Sequence, residues 1–294
     1  MIDETVREIQ EMRTHSSSTV ATQAAHALSD LRDREYRTVE EFLQNLERNS
    51  TVLRQANISH ASLQSTQRDI VAAVRDPEPE SVDEAQARLM SEITSTIERI
   101  EEATERTAAN AQSLLSDGDV LLTHDFSKTV FAVLEESVEE GRSHQVYTTE
   151  ARPRFMGRRM ARELSDLDSI EPTLIVDSAA GHFMQQCDRI VVGMDCIVEE
   201  VLYNRVGTFP IAATAAVADV PMTVVGADSK VIEQGFRFEN DHRSSVEVMR
   251  EPAPSFAIEN PAYDATPISL LDTVVTDAGV QEIADAALAQ PESS

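Results

Sequence analysis

The chain has 294 residues, enough for two compact units, and sets 52 acidic side chains against 25 basic ones, a formal net charge of −27. That balance excludes nucleic acid as a direct ligand, because phosphate backbones are gripped by clusters of lysine and arginine. Disorder is excluded as well, since 41% of the residues are hydrophobic and they recur at regular spacing.

Only Lys128 and Lys230 are lysines; the other basic residues are arginines. A carboxylate excess of this size repels itself unless counterions are concentrated, and the Debye length falls to about 3 Å at 1 M salt. The composition therefore predicts a protein of a high-salt cytoplasm. The opening "MIDETVREIQEM" is charged and amphipathic rather than a signal segment, and no apolar run reaches the length of a membrane span. A cytoplasmic protein without membrane contact is expected. Cys187 and Cys196 make no disulfide framework and have no metal-ligand company, so each reads as a small buried side chain and no metal is expected.

Residues 1–116 carry helical periodicity almost throughout and predict a helical N-terminal domain. Val6, Ile9 and Met12 mark one apolar stripe, Val20, Ala24, Leu28 and Leu31 a second, and Val39, Phe42, Leu43 and Leu46 a third. A fourth helix with Ile70, Val71 and Val74 ends before "DPEPE" (76–80), where two prolines forbid helix. A long fifth one begins near Ser81, carries Leu89, Ile93, Ile97 and Ile100 on one face, and runs to Leu114.

From residue 117 to 294 the period changes. Short apolar runs stand at 120–123, 145–149, 173–177, 189–193, 222–226 and 272–276, and helical patterns fill intervals near 128–140, 157–166, 179–186, 208–218 and 280–289. Strands alternating with helices predict βαβ units, hence an α/β fold with a mostly parallel sheet and helices on both faces. No glycine-rich dinucleotide fingerprint accompanies the strands, so no nicotinamide or flavin cofactor is expected.

Polar clusters stand at the predicted C-terminal ends of these strands. They are Thr123-His124-Asp125, then Thr149-Glu150 with Arg152 and Arg154, then Asp177-Ser178, and Gly193-Met194-Asp195. "YNRVGT", with Asn204 and Arg205, opens the next helix on a Gly-Thr pair suited to backbone contact with an anion. Carboxylates and arginines converging on one rim suggest a small anionic ligand with hydroxyls, such as a sugar phosphate. Each element has a plainer reading. An aspartate at a strand end is commonly a helix cap, the expected role of Asp177, whereas Asp195 stays open between cap and ligand. The arginines at 152, 154, 158, 159 and 162 make either a local anion site or a helix face paired with neighbouring acids.

The segments "LLTHDFSKTV", "TTEARPRFMG", "TLIVDSAAGHFM", "DRIVVGMDCIVEEVLYNRVGTFPIA" and "ENPAYDATP" occur in this order over about 118–284. Together they resemble the family that unites the regulatory alpha, beta and delta subunits of translation initiation factor 2B with two isomerases, of ribose 1,5-bisphosphate and of methylthioribose 1-phosphate. The resemblance implies a helical N-terminal domain, a Rossmann-like C-terminal domain and homodimers formed mainly through the latter.

The isomerases of that family use a cysteine and an aspartate to move hydrogen between the first two sugar carbons. The aspartate falls on Asp195; the cysteine falls on Asp125, which is not a thiol. An Arg-Gly-Ala segment that helps hold substrate phosphate falls on "HSS" (15–17), and the lysine of the Asn-Lys-Ile-Gly-Thr motif becomes Arg205. Arg152 and Asp264 are retained, and Arg154 replaces a lysine. The resemblance thus implies a pocket of Asp125, Arg152, Arg154, Asp195, Asn204, Arg205 and Asp264. The favoured expectation is a regulatory protein that binds a phosphorylated sugar or nucleotide without catalysis and is read by a translation-factor or metabolic protein partner. The alternative is an aldose–ketose isomerase in which Asp195 and Asp125 trade the proton roles and Arg152 holds phosphate.

Overall fold

The computed structural model describes residues 2–11, 16–232, 237–252 and 254–283. His15 of the "HSS" stretch and residues 284–289 of the last predicted helix lie outside them. The described residues fall into two compact units, 1–103 and 104–294.

The first unit is helical: α1 (Ile2–Gln10), α2 (Ser17–Ala27, extended by a 3-10 turn at Leu28–Leu31), α3 (Val39–Ala56), α4 (Ala61–Arg75) and the start of α5 (Val82–Gln112). Each amphipathic stripe buries against the others, so that Ile9, Leu28, Leu31, Phe42, Leu46, Leu53, Leu63, Ile70 and Leu89 make one core. The helix starts are written in capping residues. Thr38 Oγ1 accepts from the Glu41 amide at 3.1 Å while Glu41 reaches back to the Arg37 amide, and Ser81 Oγ accepts from the Glu84 amide after the proline break.

The last turns of α5 belong to the second unit, because Ala108 and Ala111 join its core and Asn110 Nδ2 donates to the Thr276 carbonyl at 2.8 Å. That unit continues with β1 (Val120–His124), α6 (Lys128–Glu139), β2 (His144–Thr149), α7 (Gly157–Leu164), β3 (Ile170–Ile175) and α8 (Ala180–Phe183). After these come β4 (Arg189–Gly193), β5 (Cys196–Val198), β6 (Val201–Arg205), α9 (Thr208–Ala218) and β7 (Met222–Val225). The chain finishes with β8 (Val231–Ile232), α10 (Ser245–Val248), β9 (Tyr263–Pro267), β10 (Thr273–Thr276) and β11 (Gly279–Glu282).

Seven strands form one sheet in the order β11-β10-β7-β4-β1-β2-β3, parallel throughout except for β11. The chain winds outward from β1 to β3 and restarts at β4 on the other side of β1. The strand order therefore reverses between β1 and β4, and such a reversal opens a crevice at the strand C-termini. Helices cover both faces. Leu121, Val130, Val133 and Val191 share one core layer, while Leu122, Ile190, Ile211 and Ala212 share the other.

Three local expectations are corrected. β3 starts at Ile170 rather than 173 and includes Pro172, which an edge strand accommodates because one of its sides needs no amide donor. The interval 179–186 is not one helix but α8 flanked by 3-10 turns at Asp177–Ala179 and Met184–Gln186. At residues 280–282, where the last predicted helix begins, β11 pairs antiparallel with β10. A second sheet, in the order β8-β5-β6-β9, has no counterpart among the strands predicted from sequence.

Candidate active site

Asp125 follows β1 directly and Asp195 follows β4 by two residues, so the strand reversal places both carboxylates on neighbouring strand ends. Each is 8% exposed. Asp125 has a left-handed backbone, φ +62°, a conformation aspartate tolerates better than most residues and one that gathers at functional sites. Arg205, the last residue of β6, lies between the two acids: its Nε is 3.5 Å from Asp125 Oδ2 and 3.8 Å from Asp195 Oδ2. Its guanidinium carbon also stands 4.8 Å from the centre of the Tyr263 ring.

Burial pushes the Asp125 carboxyl above the usual carboxylate range, Arg205 pulls it down, and Asp195 adds to the upward push. Burial also works against the charge on Arg205, but Tyr263, Asp195 and Asp125 outweigh it and hold the guanidinium charged. One fixed cation thus serves two acids, one of which is driven toward its neutral form.

His124, the end of β1, ties neighbouring segments together. Its Nε2 donates to the Val206 carbonyl at 2.9 Å, and its Nδ1 is hydrogen-bonded to Thr149 Oγ1 at 2.6 Å. The ring joins the ends of β1 and β2 to the turn before α9. Glycine is required at 207, where φ is +111° and a Cβ would come 2.6 Å from His124 Cε1.

The segment after β2 is shaped by Asp177. Its two carboxylate oxygens accept from the Ala151 and Arg152 amides, both at 2.7 Å, so it fixes that loop instead of capping a helix. Gly157 seats the loop, because a Cβ there would lie 1.7 Å from the Thr149 carbonyl oxygen. The five arginines divide. Arg158 pairs with Glu150 at 2.7 Å and Arg159 with Glu163 at 2.7 Å, the helix-face reading, and Arg162 is exposed. Arg152 donates to the Val248 carbonyl at 3.1 Å. Arg154 is 3.9 Å from Glu247; burial lowers its pKa, and among its neighbours Arg243 and Arg205 lower it too while Glu247 and Asp125 raise it.

Asn204 and Asp264 shape the start of α9. Asn204 Nδ2 donates to Thr208 Oγ1 at 3.0 Å, and that hydroxyl donates to the Arg205 carbonyl at 2.7 Å. Asp264 Oδ2 accepts from the Gly207 amide at 2.7 Å and the Phe209 amide at 3.0 Å. The helix opening predicted to face an external anion therefore has two amides on an internal carboxylate.

Sequence reasoning missed three residues here. Lys230 is 5% exposed and its Nζ donates to the Met194 carbonyl at 3.0 Å; burial lowers its pKa, whereas the neighbouring Asp195 and Cys196 raise it. Its rarity, one of two lysines, was the available signal. Arg243 and Glu247 lie in a charged segment without periodicity. The cysteines are buried, Cys196 pushed up to about 12 by burial and Asp195, and Cys187 to about 11 by burial and Asp188, so neither thiol is a nucleophile near neutral pH. Among the described residues no group of three His, Cys, Asp or Glu side chains could hold a metal ion, and no helix is long and apolar enough to cross a membrane.

Comparison with known proteins gives this geometry its relatives. A ribose 1,5-bisphosphate isomerase of Methanocaldococcus jannaschii is 28% identical over 95% of this chain and 91% of its own length. One from Haloterrigena turkmenica is 31% identical over 94% of this chain and 88% of its own. The solved structure of 5-methylthioribose 1-phosphate isomerase from Pyrococcus horikoshii superposes with a TM-score of 0.83 at 25% identity, covering 96% of this chain and 84% of that one. The translation initiation factor eIF-2B of the same organism gives 0.82 at 24% identity, covering 96% and 97%. The initiation factor 2 subunit family matches residues 13–283, and the chain belongs to that family.

Proposed function

We propose that the chain binds a phosphorylated sugar at the β1/β4 crevice and interconverts its aldose and ketose forms, with Asp125 and Asp195 as the proton carriers. The observation that carries this reading is the pair itself: two buried carboxyls on adjacent strand ends share Arg205, and burial drives Asp125 toward the neutral form. A buried carboxyl that favours its neutral form can give up a proton, which is the acid half of acid–base chemistry. In the isomerisation of a furanose 1-phosphate, the C2 hydrogen moves to C1 and the C2 hydroxyl proton moves to the opening ring oxygen. Asp125, protonated, gives its proton to the ring oxygen as the C1–O bond breaks and recovers one from the C2 hydroxyl. Asp195 takes the C2 hydrogen as a proton and returns it to C1. Arg205 stabilises the oxyanion that forms between these steps, and Arg152 and Arg154 supply charge for phosphate. The names of the relatives, ribose 1,5-bisphosphate isomerases among them, support this substrate class.

Turnover of ribose 1,5-bisphosphate followed by NMR tests the reading. The wild type should convert it, Asp195→Asn should abolish conversion, and Asp125→Asn should lower it by about 10²–10⁴-fold, the usual worth of one general acid. Asp125→Cys should keep measurable rate.

A second reading, sensing without turnover, is favoured by the identity of Asp125, which occupies the place the resemblance gives to a thiol. Binding of the same sugar phosphate with no conversion by the wild type would establish it.

For either role we infer a homodimer. Residues 206–218 carry no charged side chain, and Phe209, Pro210, Ala216 and Val217 of α9 are exposed, Val217 at 90%. On a chain of charge −27, an uncharged apolar face is where a second copy can approach without repulsion.

A further inference from the structure

Arg205 and Tyr263 stand directly opposite each other where β6 pairs antiparallel with β9, so their side chains leave the sheet on the same face. The guanidinium carbon lies 4.8 Å from the ring centre, within the range of an attractive contact between a cation and a ring. Tyr263 is 2% exposed and the Arg205 side chain 14%. The ring is itself backed. Phe238 meets it edge to face, with centres 5.3 Å apart and planes at 86°, and stacks on Tyr203 at 3.9 Å and 16°. Tyr203 precedes Arg205 by two residues and shares its face of β6, so the aromatic rings and the cation gather on one side of the sheet.

The backbone that carries the ring is held as firmly. Asn240 serves Tyr263 as a strand neighbour: its Nδ2 donates to the Tyr263 carbonyl at 2.8 Å and its Oδ1 accepts from the Tyr263 amide at 3.2 Å. Asp264, the next residue, holds the Gly207 and Phe209 amides just beyond Arg205. The two acids pull on Arg205 Nε almost evenly, from 3.5 and 3.8 Å, and attraction between charges prefers no plane. A ring face does. A lysine would bring the same charge as a point, whereas a planar guanidinium can be oriented by stacking.

We infer that Tyr263 is the positioning residue of Arg205: its ring face sets the plane of the guanidinium, so that the cation keeps its place between Asp125 and Asp195 while protons leave and return to them. The role in the chemical step rests on the isomerase reading above; the stacking itself does not. The oxyanion that Arg205 stabilises exists only between the two proton transfers. Loss of the orientation therefore acts on turnover and not on substrate binding.

Arginine side-chain NMR and turnover of ribose 1,5-bisphosphate test this on wild type, Tyr263→Phe, Tyr263→Leu and Phe238→Ala, each first checked for native circular dichroism. Arg205→Lys identifies the Arg205 Nε–H signal by its loss. That signal should move in Tyr263→Leu and hold its place in Tyr263→Phe. Tyr263→Leu should lower kcat about 10²-fold, the cost of displacing a working group by about 1 Å, with KM within about twofold, while Tyr263→Phe keeps kcat within about threefold. If Tyr263→Leu does not fold, Phe238→Ala, which removes the ring's support, should show the same pattern at smaller size. A signal that ignores both Tyr263→Leu and Phe238→Ala, an equal loss of kcat in Tyr263→Phe and Tyr263→Leu, or a loss confined to KM overturns the assignment. No turnover by the wild type, with the signal still moved by Tyr263→Leu, leaves the positioning of Arg205 standing and removes the isomerase reading.

Discussion

Asp125 brings three costs to one position: a left-handed backbone, burial of a carboxyl group, and a second carboxylate nearby. A group held this way works against the fold at neutral pH. Its folded pKa is raised, so between the unfolded value and the folded one the native state binds more protons than the unfolded chain. Stability contributed at low pH is then lost as pH rises through the folded pKa. Asparagine keeps the shape and removes the titration. Asp125→Asn should therefore melt higher than wild type at pH 8, with the difference closing toward pH 4 as the wild-type carboxyl protonates. Thermal melts of both proteins across that range check it, and a constant difference would mean that Asp125 does not titrate as its burial requires. A variant that is more stable yet much slower is the expected signature of strain kept for function.

At the scale of elements, α9 ties the site to the rest of the molecule. Its start is held by Asp264 and Gly207 against His124, and its outer face is left apolar. If that face meets a second copy, Val217→Glu places like charges opposite each other across the two-fold and should convert the dimer to monomer while the circular dichroism spectrum is retained. Light scattering gives the mass; an unchanged dimer would move the interface elsewhere. The same scale shows what could be read beforehand. β1, β4 and β7 each carry a run of apolar residues buried on both faces, and a stretch such as 190–193 announces itself. β5, β6, β8 and β9 are two to five residues long, and their pairing is set by residues far apart, as Asn204 opposite Asp264. Nothing in a local window of sequence records such a partner. The site was legible in the same degree: Asp125 and Asp195 stand beside strong strands, whereas Arg243 and Glu247 enter through tertiary contacts of a segment with no period.

Across the whole molecule, charge outweighs every other feature of the composition. The structure keeps ordinary apolar cores in both units, so the cores themselves give no reason for 52 acidic residues, and the high-salt reading looks for one in the solvent. Carboxylates spread over the surface repel at separations comparable with the Debye length, which shrinks from about 10 Å at 0.1 M salt to about 3 Å at 1 M. Repulsion acts more strongly on the compact state, where the charges are crowded, than on the expanded chain. Adding KCl should therefore raise the melting temperature from about 0.1 M upward. Screening alone is nearly complete by about 1 M by the same scaling, so a rise that continues into multimolar KCl shows that the surface uses concentrated cations and not merely weakened repulsion. Melts in KCl, with sucrose as an uncharged stabiliser for comparison, separate the two contributions. A maximum below about 0.5 M KCl, where the Debye length is still several ångströms, would remove the high-salt reading altogether. The proposed dimer would depend on the same balance: if two chains of −27 meet, the fraction associated should climb with KCl in parallel with stability, and Val217→Glu should erase the first trend while leaving the second.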